Sequence, residues 1–382
     1  MMIAAGCLAW LSAVSANRYD PQLDTIPQFV MDNAPLVYLY SEEKYMPGDI
    51  AEYVSNFWVS DGDVNVTKSL EIGNLNTIAN ELIAGGATEL YLTANREWKD
   101  SAWIGNVEYI PTAYDGRIKE SPVTLIVVEK EVFIDAFWFY FYPFNEGPYV
   151  MGQGPMGNHL GDWEHSLVRF NKQGEPQILW MSAHGGGSSY KWSVLPKSKD
   201  GRPFIYAARG THANYVTKGQ HSHDIPWHWL SDFTDRGYLW DPAANYLAYT
   251  YDGGTVRPCN GSQPLREVKY RDWLLFDGHW GNKLLPSSDP RQHWAVFNWQ
   301  MIDGPTGPLS KNLMREQVCE RHKWWNIRKS CRLRSSIGIA EGIEAENYGV
   351  FFPLSWLPES WRYTVHALFL NSWGYDLYCL FT

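Results

Sequence analysis

The chain has 382 residues, enough for one large or two ordinary domains. Hydrophobic residues make up 45%, aromatic residues 15% and charged residues only 19%, which excludes an intrinsically disordered chain and suits aromatic-rich strands around a large core. Lys and Arg total 32 against 42 Asp and Glu, a net charge of −10 that argues against nucleic acid or anionic lipid as the main partner, since both reward basic patches.

Residues 1–16, MMIAAGCLAWLSAVSA, form an apolar run ending in Val14-Ser15-Ala16. It reads as a secretory signal peptide, although no Lys or Arg precedes it. Cys7 would leave with the leader, and the remaining Cys259, Cys319, Cys331 and Cys379 allow three pairings, among which Cys319 and Cys331 are near enough to close a short loop. The acceptors Asn65-Val-Thr67 and Asn260-Gly-Ser262 fit a glycosylated, secreted protein.

In chain order, Ala34–Tyr40 is a short β-type run followed by the polar turn Ser41–Asp49. Residues 76–84 predict a short helix stopped by Gly85-Gly86. Val123–Val128 and Val132–Tyr142 predict a strand pair, the second with aromatic residues on both faces and therefore buried on both. After the Gly-rich loop Met151–Gly157 come strands at 164–170, 177–183 and 203–208, separated by Gly and Pro turns. Repeated short strands without βαβ spacing predict a mainly β fold, a β-sandwich of antiparallel strands with long Gly/Pro-rich loops and few short helices. The expected organisation is a leader at 1–16, a β-sandwich domain at 17–308 and an extension at 309–382. The extension is basic over 311–334, then apolar and aromatic, but too interrupted by polar residues to span a membrane. His221, His223 and His228 lie in a segment read as a surface loop.

The stretch Gly157-Asn-His-Leu-Gly-Asp-Trp-Glu-His165 concentrates chemistry. Asp162 and Glu164 are two residues apart, so on a strand their carboxylates share one side while Trp163 enters the core on the other. Gly161 lets the chain turn just before that strand, so that His159 can fold back toward the two acids. Two carboxylates and an imidazole suit a divalent cation. His184, Arg209 and His212 sit in Gly-rich strand-end loops, where catalytic groups are often found. Ser188 beside His184 lacks the elbow of a serine nucleophile.

This stretch, with Ala34-Pro-Leu-Val-Tyr-Leu39, Pro47-Gly-Asp-Ile50, Ser182-Ala-His-Gly185, Gly201-Arg-Pro203, Ala208-Arg-Gly-Thr-His-Ala-Asn-Tyr215 and Gly304-Pro-Thr-Gly-Pro308, resembles the fungal vacuolar protein sorting-associated protein 62 family over about residues 30–308. That resemblance implies a link to vacuolar delivery. A more distant similarity is to secreted necrosis-inducing cytolysins, which carry a Gly-His-Arg-His-Asp-Trp-Glu motif on a β-sandwich and bind a divalent cation and sphingolipid head groups. It implies that His159, Asp162 and Glu164 are metal ligands. Asn145, after the aromatic strand, stands where those proteins have an Asp, and Gly161 replaces their second His. A carboxamide oxygen still suits Ca²⁺.

Three functions follow as expectations. One is a secreted or vacuolar binding module whose cation, Ca or Mg rather than Mn or Zn, engages a polar lipid head group, glycan or small molecule, with peripheral membrane contact and no transmembrane helix. The second is a metal-assisted hydrolase or lyase using His184, Arg209 and His212. The third is a structural protein of vacuolar trafficking.

Overall fold

A computed structural model describes residues 24–99, 101–149, 154–222, 230–260, 272–295, 298–320 and 333–337. The leader, the segment 223–229 with His223 and His228, Cys331, and 338–382 with Cys379 lie outside the described residues.

The centre is a nine-stranded sheet in the order Asp24–Thr25, Val256–Asn260, Tyr246–Tyr251, Val123–Glu129, Phe133–Asn145, His159–Asn171, Pro176–Ala183, Gly186–Lys191 and Leu333–Arg334. Its middle, from Val123 to Lys191, is an antiparallel meander of sequence neighbours. Parallel pairing joins Tyr246–Thr250 to Val123–Val127, and both edge strands also pair parallel. The sheet is therefore mixed rather than wholly antiparallel.

The Phe133–Asn145 strand shows why one sheet can organise two cores. Phe137, Phe139 and Phe141 point to one face, where they join Trp163, Leu167, Trp180, Trp273 and Trp280 beside the helices Ile50–Val54 and Leu75–Ala84. Trp138, Tyr140 and Tyr142 point to the other, against Val37, Leu39, Ile205, Ala207 and Trp240 of a second, four-stranded sheet. Each buried ring contributes roughly 2–3 kcal/mol of transfer free energy. Two layers of β-structure enclosing an aromatic core make the β-sandwich, with few short helices.

The expected helix at 76–84 is Leu75–Ala84, closed at Gly85. The strand expected at 164–170 is longer, His159–Asn171. Residues after 308 are partly drawn into the core: Leu313, Val318 and Cys319 are buried in the first cluster. Behind them Asp135, fully buried, accepts both Nε and Nη2 of Arg169 at 2.7 Å and Nζ of Lys130 at 2.6 Å. The two cations also donate to the backbone of the C-terminal segment, Lys130 to the Arg315 carbonyl and Arg169 to the Glu316 carbonyl, each at 2.5 Å. The Arg315 guanidinium covers the rings of Phe137 and Trp180 at 5.0 and 4.8 Å.

Candidate functional site

The motif strand departs from regular alternation at Gly161. In a regular strand His159, three residues before Asp162, would point to the opposite face. Gly161 is instead inside the strand with φ +67°, facing Pro143, so the turn expected before the strand is a kink within it. Beyond the kink Leu160 and Phe144 join Phe141 and Trp163 on the first core face. The paired residues Asn145 and His159 are thereby carried to the side of Asp162. A side chain at this glycine would force the backbone to move, because its Cβ would stand 2.0 Å from the Trp280 carbonyl oxygen.

Each of the four expected ligands has one polar atom tied to the protein. His159 donates Nδ1–H to the Gly161 carbonyl at 2.6 Å, which fixes the tautomer and leaves the Nε2 lone pair without a partner among the described residues. Burial, opposed by Asp162, keeps this imidazole below its ordinary pKa and therefore neutral. Asn145 donates Nδ2–H to the Gly157 carbonyl at 3.1 Å, leaving its oxygen. Asp162 Oδ2 accepts from His212 at 2.9 Å. Glu164 Oε2 is held by the Ser182 hydroxyl, which itself accepts the His165 N–H at 2.7 Å. Burial, reinforced by the Asp162 charge, pushes the Glu164 carboxyl well above the ordinary range. The His212 and Lys311 charges act the other way without outweighing burial. Among the described residues no three His, Cys, Asp or Glu side chains already close to coordinating distance of one point.

His212 does not join His184 or Arg209. It sits in the loop between strands Phe204–Ala207 and Asn214–Tyr215 with φ +54°, a conformation uncommon for a non-glycine residue. Nδ1–H donates to Asp162 and Nε2–H to the Tyr45 carbonyl at 3.1 Å, while Glu43 lies 3.8 Å from Nε2. Burial alone would lower its pKa, but the Asp162 and Glu43 carboxylates outweigh that and raise it to about 9. The imidazolium stacks on Tyr142, centroids 3.7 Å apart and 4° from parallel. The buried Tyr142 hydroxyl has no partner among the described residues. Glu43 accepts the N–H groups of Lys44, Tyr45 and Gly210, and these with His212 hold its carboxyl below its ordinary pKa despite burial.

A second node surrounds Asp232. Its buried carboxylate accepts from His184 Nε2 at 2.6 Å, Thr211 Oγ1 at 2.8 Å and the Tyr215 hydroxyl at 2.7 Å. The adjacent residues Thr211 and His212 thus tie the two nodes together through one loop. Arg209 is exposed on that loop, and its backbone N–H donates to Phe233. His221, expected on a surface loop, is buried and stacked on Tyr215 at 3.8 Å. His165 lies on the opposite face of the sheet from Glu164, against Phe139 and Trp180 at 4.7 and 4.8 Å. Burial, then the Arg315 and Lys311 charges, holds it neutral.

Sequence reasoning missed Glu43, Tyr142, Ser182 and Asp232. Tyr142 and Ser182 had a usable signal, since each lies on a strand that flanks the motif strand. Glu43 and Asp232 had none: Glu43 arrives on a turn, and Asp232 on the strand Ser231–Thr234, whose approach to the site spacing does not report.

One prediction concerns pH. The unfolded value of 6.5 for His212 rises to about 9 in the fold, so its stabilisation is complete below pH 6.5 and disappears as pH climbs through 9. The metal-free protein should lose about 3 kcal/mol at most across that window, read as a falling denaturation midpoint, and His212→Gln should flatten the profile.

A profile of the vacuolar protein sorting-associated protein 62 family matches residues 5–224. Vacuolar protein sorting-associated protein 62 of Saccharomyces cerevisiae is 46% identical over 357 residues, covering 86% of this chain and 75% of that protein. The putative vacuolar protein sorting-associated protein TDA6 of the same yeast is 46% identical over 354 residues, covering 84% and 74%. Among solved structures, NLPPya in complex with glucosamine aligns at 11% identity over 69% of this chain and 90% of that one, TM-score 0.30. Necrosis and Ethylene inducing Protein 2 from the causal agent of cocoa's Witches Broom disease aligns at 15% identity over 51% and 70%, TM-score 0.26. No helix among the described residues is long and apolar enough to cross a membrane. On the strength of the profile match and the two yeast relatives, the chain belongs to the vacuolar protein sorting-associated protein 62 family.

Proposed function

We propose that this chain is a binding module of vacuolar traffic that holds a divalent cation with His159, Asp162, Glu164 and Asn145 and uses it to engage a polar lipid head group or glycan. The carrying observation is that each of these four side chains has one polar atom secured by the protein and another left over: Nε2 of His159, Oδ1 of Asp162, Oε1 of Glu164 and Oδ1 of Asn145. Three oxygens and one imidazole nitrogen favour Ca²⁺ or Mg²⁺ over Mn²⁺ or Zn²⁺. A bound cation would supply charge to order ligand hydroxyl or phosphate oxygens and would take the place of the Glu164 proton. His212 and Ser182 would orient the two carboxylates.

The catalytic reading has less support. His212 spends both nitrogens on Asp162 and Tyr45, which leaves it no lone pair to act as a base. The link to the vacuole rests on the names of the yeast relatives. Entry to the secretory pathway through the 1–16 leader, glycosylation at Asn65 and Asn260, and disulfide bonding complete the proposal. Metal content by mass spectrometry tests its centre. The wild-type chain dialysed against Ca²⁺ or Mg²⁺ should carry the ion near stoichiometry, and Asp162→Ala/Glu164→Ala should carry none while remaining folded. Equal metal content in both sinks the reading.

A further inference from the structure

Two carboxylates that share a buried site repel each other until an ion arrives, so the protein has to set their aim. His212 aims Asp162, and Ser182 aims Glu164. Both orienting side chains are served by one short segment, residues 211–215. His212 donates to Asp162 Oδ2 at 2.9 Å, and Asn214 Nδ2–H reaches the Ser182 hydroxyl oxygen at 3.4 Å. The two ends of the segment turn to a different carboxylate: Thr211 donates to Asp232 Oδ1 at 2.8 Å, and the Tyr215 hydroxyl donates to Asp232 Oδ2 at 2.7 Å. Asp232 thus pins the segment at both ends while its middle is applied to the cation site.

Asp232 also grips the strand that carries Ser182. His184 donates Nε2–H to its Oδ2 at 2.6 Å, and His184 with Gly185 makes the turn that closes Pro176–Ala183 onto Gly186–Lys191, two residues beyond Ser182. The backbone marks both contacts. Among the described residues, four that are not glycine have a positive φ: Asn106, Asn312, His184 and His212, the two histidines at +54°. Asparagine enters this region through its own local hydrogen bonds, whereas other residues keep it only where the surroundings enforce it. His184 is bound directly to Asp232, and His212 follows Thr211, which is bound to the same carboxylate. Asp232 is 2% exposed, and the Phe233 carbonyl beside it accepts the Arg209 N–H at 2.9 Å, so its strand is joined to the loop by backbone as well.

We propose that Asp232 is a positioning residue of the cation site, acting through Thr211 and His184 on the two arms that aim Asp162 and Glu164 rather than on the ion itself. This rests on the cation reading above.

Calcium binding to the full chain is followed by calorimetry, and the His212 ring N–H signals by NMR. Asp232→Ala should weaken Ca²⁺ binding roughly tenfold, the size expected when a partner behind a metal ligand is lost. In a His212→Gln/Ser182→Ala background, where the orienting side chains are already gone, the same substitution should change the affinity little. Asn245→Ala supplies the comparison for stability alone. It takes a buried amide from the Ile118 and Lys119 carbonyls, and should lower the melting temperature without changing the affinity. Wild-type affinity in Asp232→Ala, or an equal loss in both backgrounds, overturns the proposal. Where Asp232→Ala does not fold, Thr211→Val replaces it with an expected loss of about threefold, and wild-type binding by that variant is equally decisive against. A wild-type chain that takes up no Ca²⁺ or Mg²⁺ removes the cation reading. The His212 signals then decide on Asp232: a shift in Asp232→Ala keeps its hold on the arm, and unmoved signals end it.

Discussion

Replacing Asp135 with alanine should destabilise the protein by about 3–5 kcal/mol, the largest loss expected from any single side chain described here. Asp135 is fully buried and, among the described residues, is the one carboxylate that neutralises both Arg169 and Lys130 at 2.6–2.7 Å. Its removal leaves two buried cations whose remaining hydrogen-bond partners among the described residues are backbone carbonyls of Arg315 and Glu316. The penalty comes from stranding these charges, not from losing a strong attraction, because desolvation already consumes most of the Coulombic gain. The triple variant Lys130→Met/Asp135→Leu/Arg169→Met, which removes the charges together, should therefore recover most of the loss. Urea denaturation midpoints of the three proteins check this. A triple variant as unstable as Asp135→Ala would show that the carboxylate matters for geometry rather than charge balance.

Gly161→Ala comes next, at about 2–5 kcal/mol. The left-handed conformation costs an alanine roughly 1–2 kcal/mol and forced backbone movement adds roughly 1–3. The new Cβ would lie 2.0 Å from the Trp280 carbonyl oxygen and 2.8 Å from the Tyr53 hydroxyl, which is itself hydrogen-bonded to that carbonyl at 2.7 Å. Relief requires the strand to straighten, and a straight strand returns His159 to the face opposite Asp162. Where Gly161→Ala still folds, it should lose metal more severely than it loses stability. A folded Gly161→Ala with wild-type metal content would show that the kink is not what delivers His159.

The contrast between Asp162 and His159 marks the limit of what a sequence reveals about such a site. Asp162 and Glu164 were legible as a same-side pair, because period-two alternation needs no knowledge of the partner strands. His159 at odd spacing was legible only as a candidate, since its arrival depends on one backbone angle. The aromatic strands were plain from composition, and double-sided burial followed from rings at consecutive positions. Their neighbours were not plain. Tyr246–Thr250 lies parallel to Val123–Val127 across more than a hundred residues, and no local pattern encodes that pairing. The same applies to His184, Arg209 and His212. Their Gly-rich loops marked a busy end of the sandwich, but Thr211 and His212 turn to different carboxylates, and Arg209 turns to solvent.

The order of strands in the central sheet also sets an order of assembly. The meander from Val123 to Lys191 pairs only strands adjacent in sequence, and can pair as soon as it is synthesised. Its Val123–Glu129 edge must wait for Tyr246–Tyr251, and its buried cations wait longer still, for carbonyls at Arg315 and Glu316. During elongation a strongly aromatic sheet therefore stands with both edges unpaired, since Gly186–Lys191 also awaits Leu333–Arg334, and with two cations short of their carbonyl partners, a state prone to pairing with other chains. Growth conditions that slow translation between residues 191 and 316 should lengthen the life of that state, and the chain's demand for chaperones should rise with it.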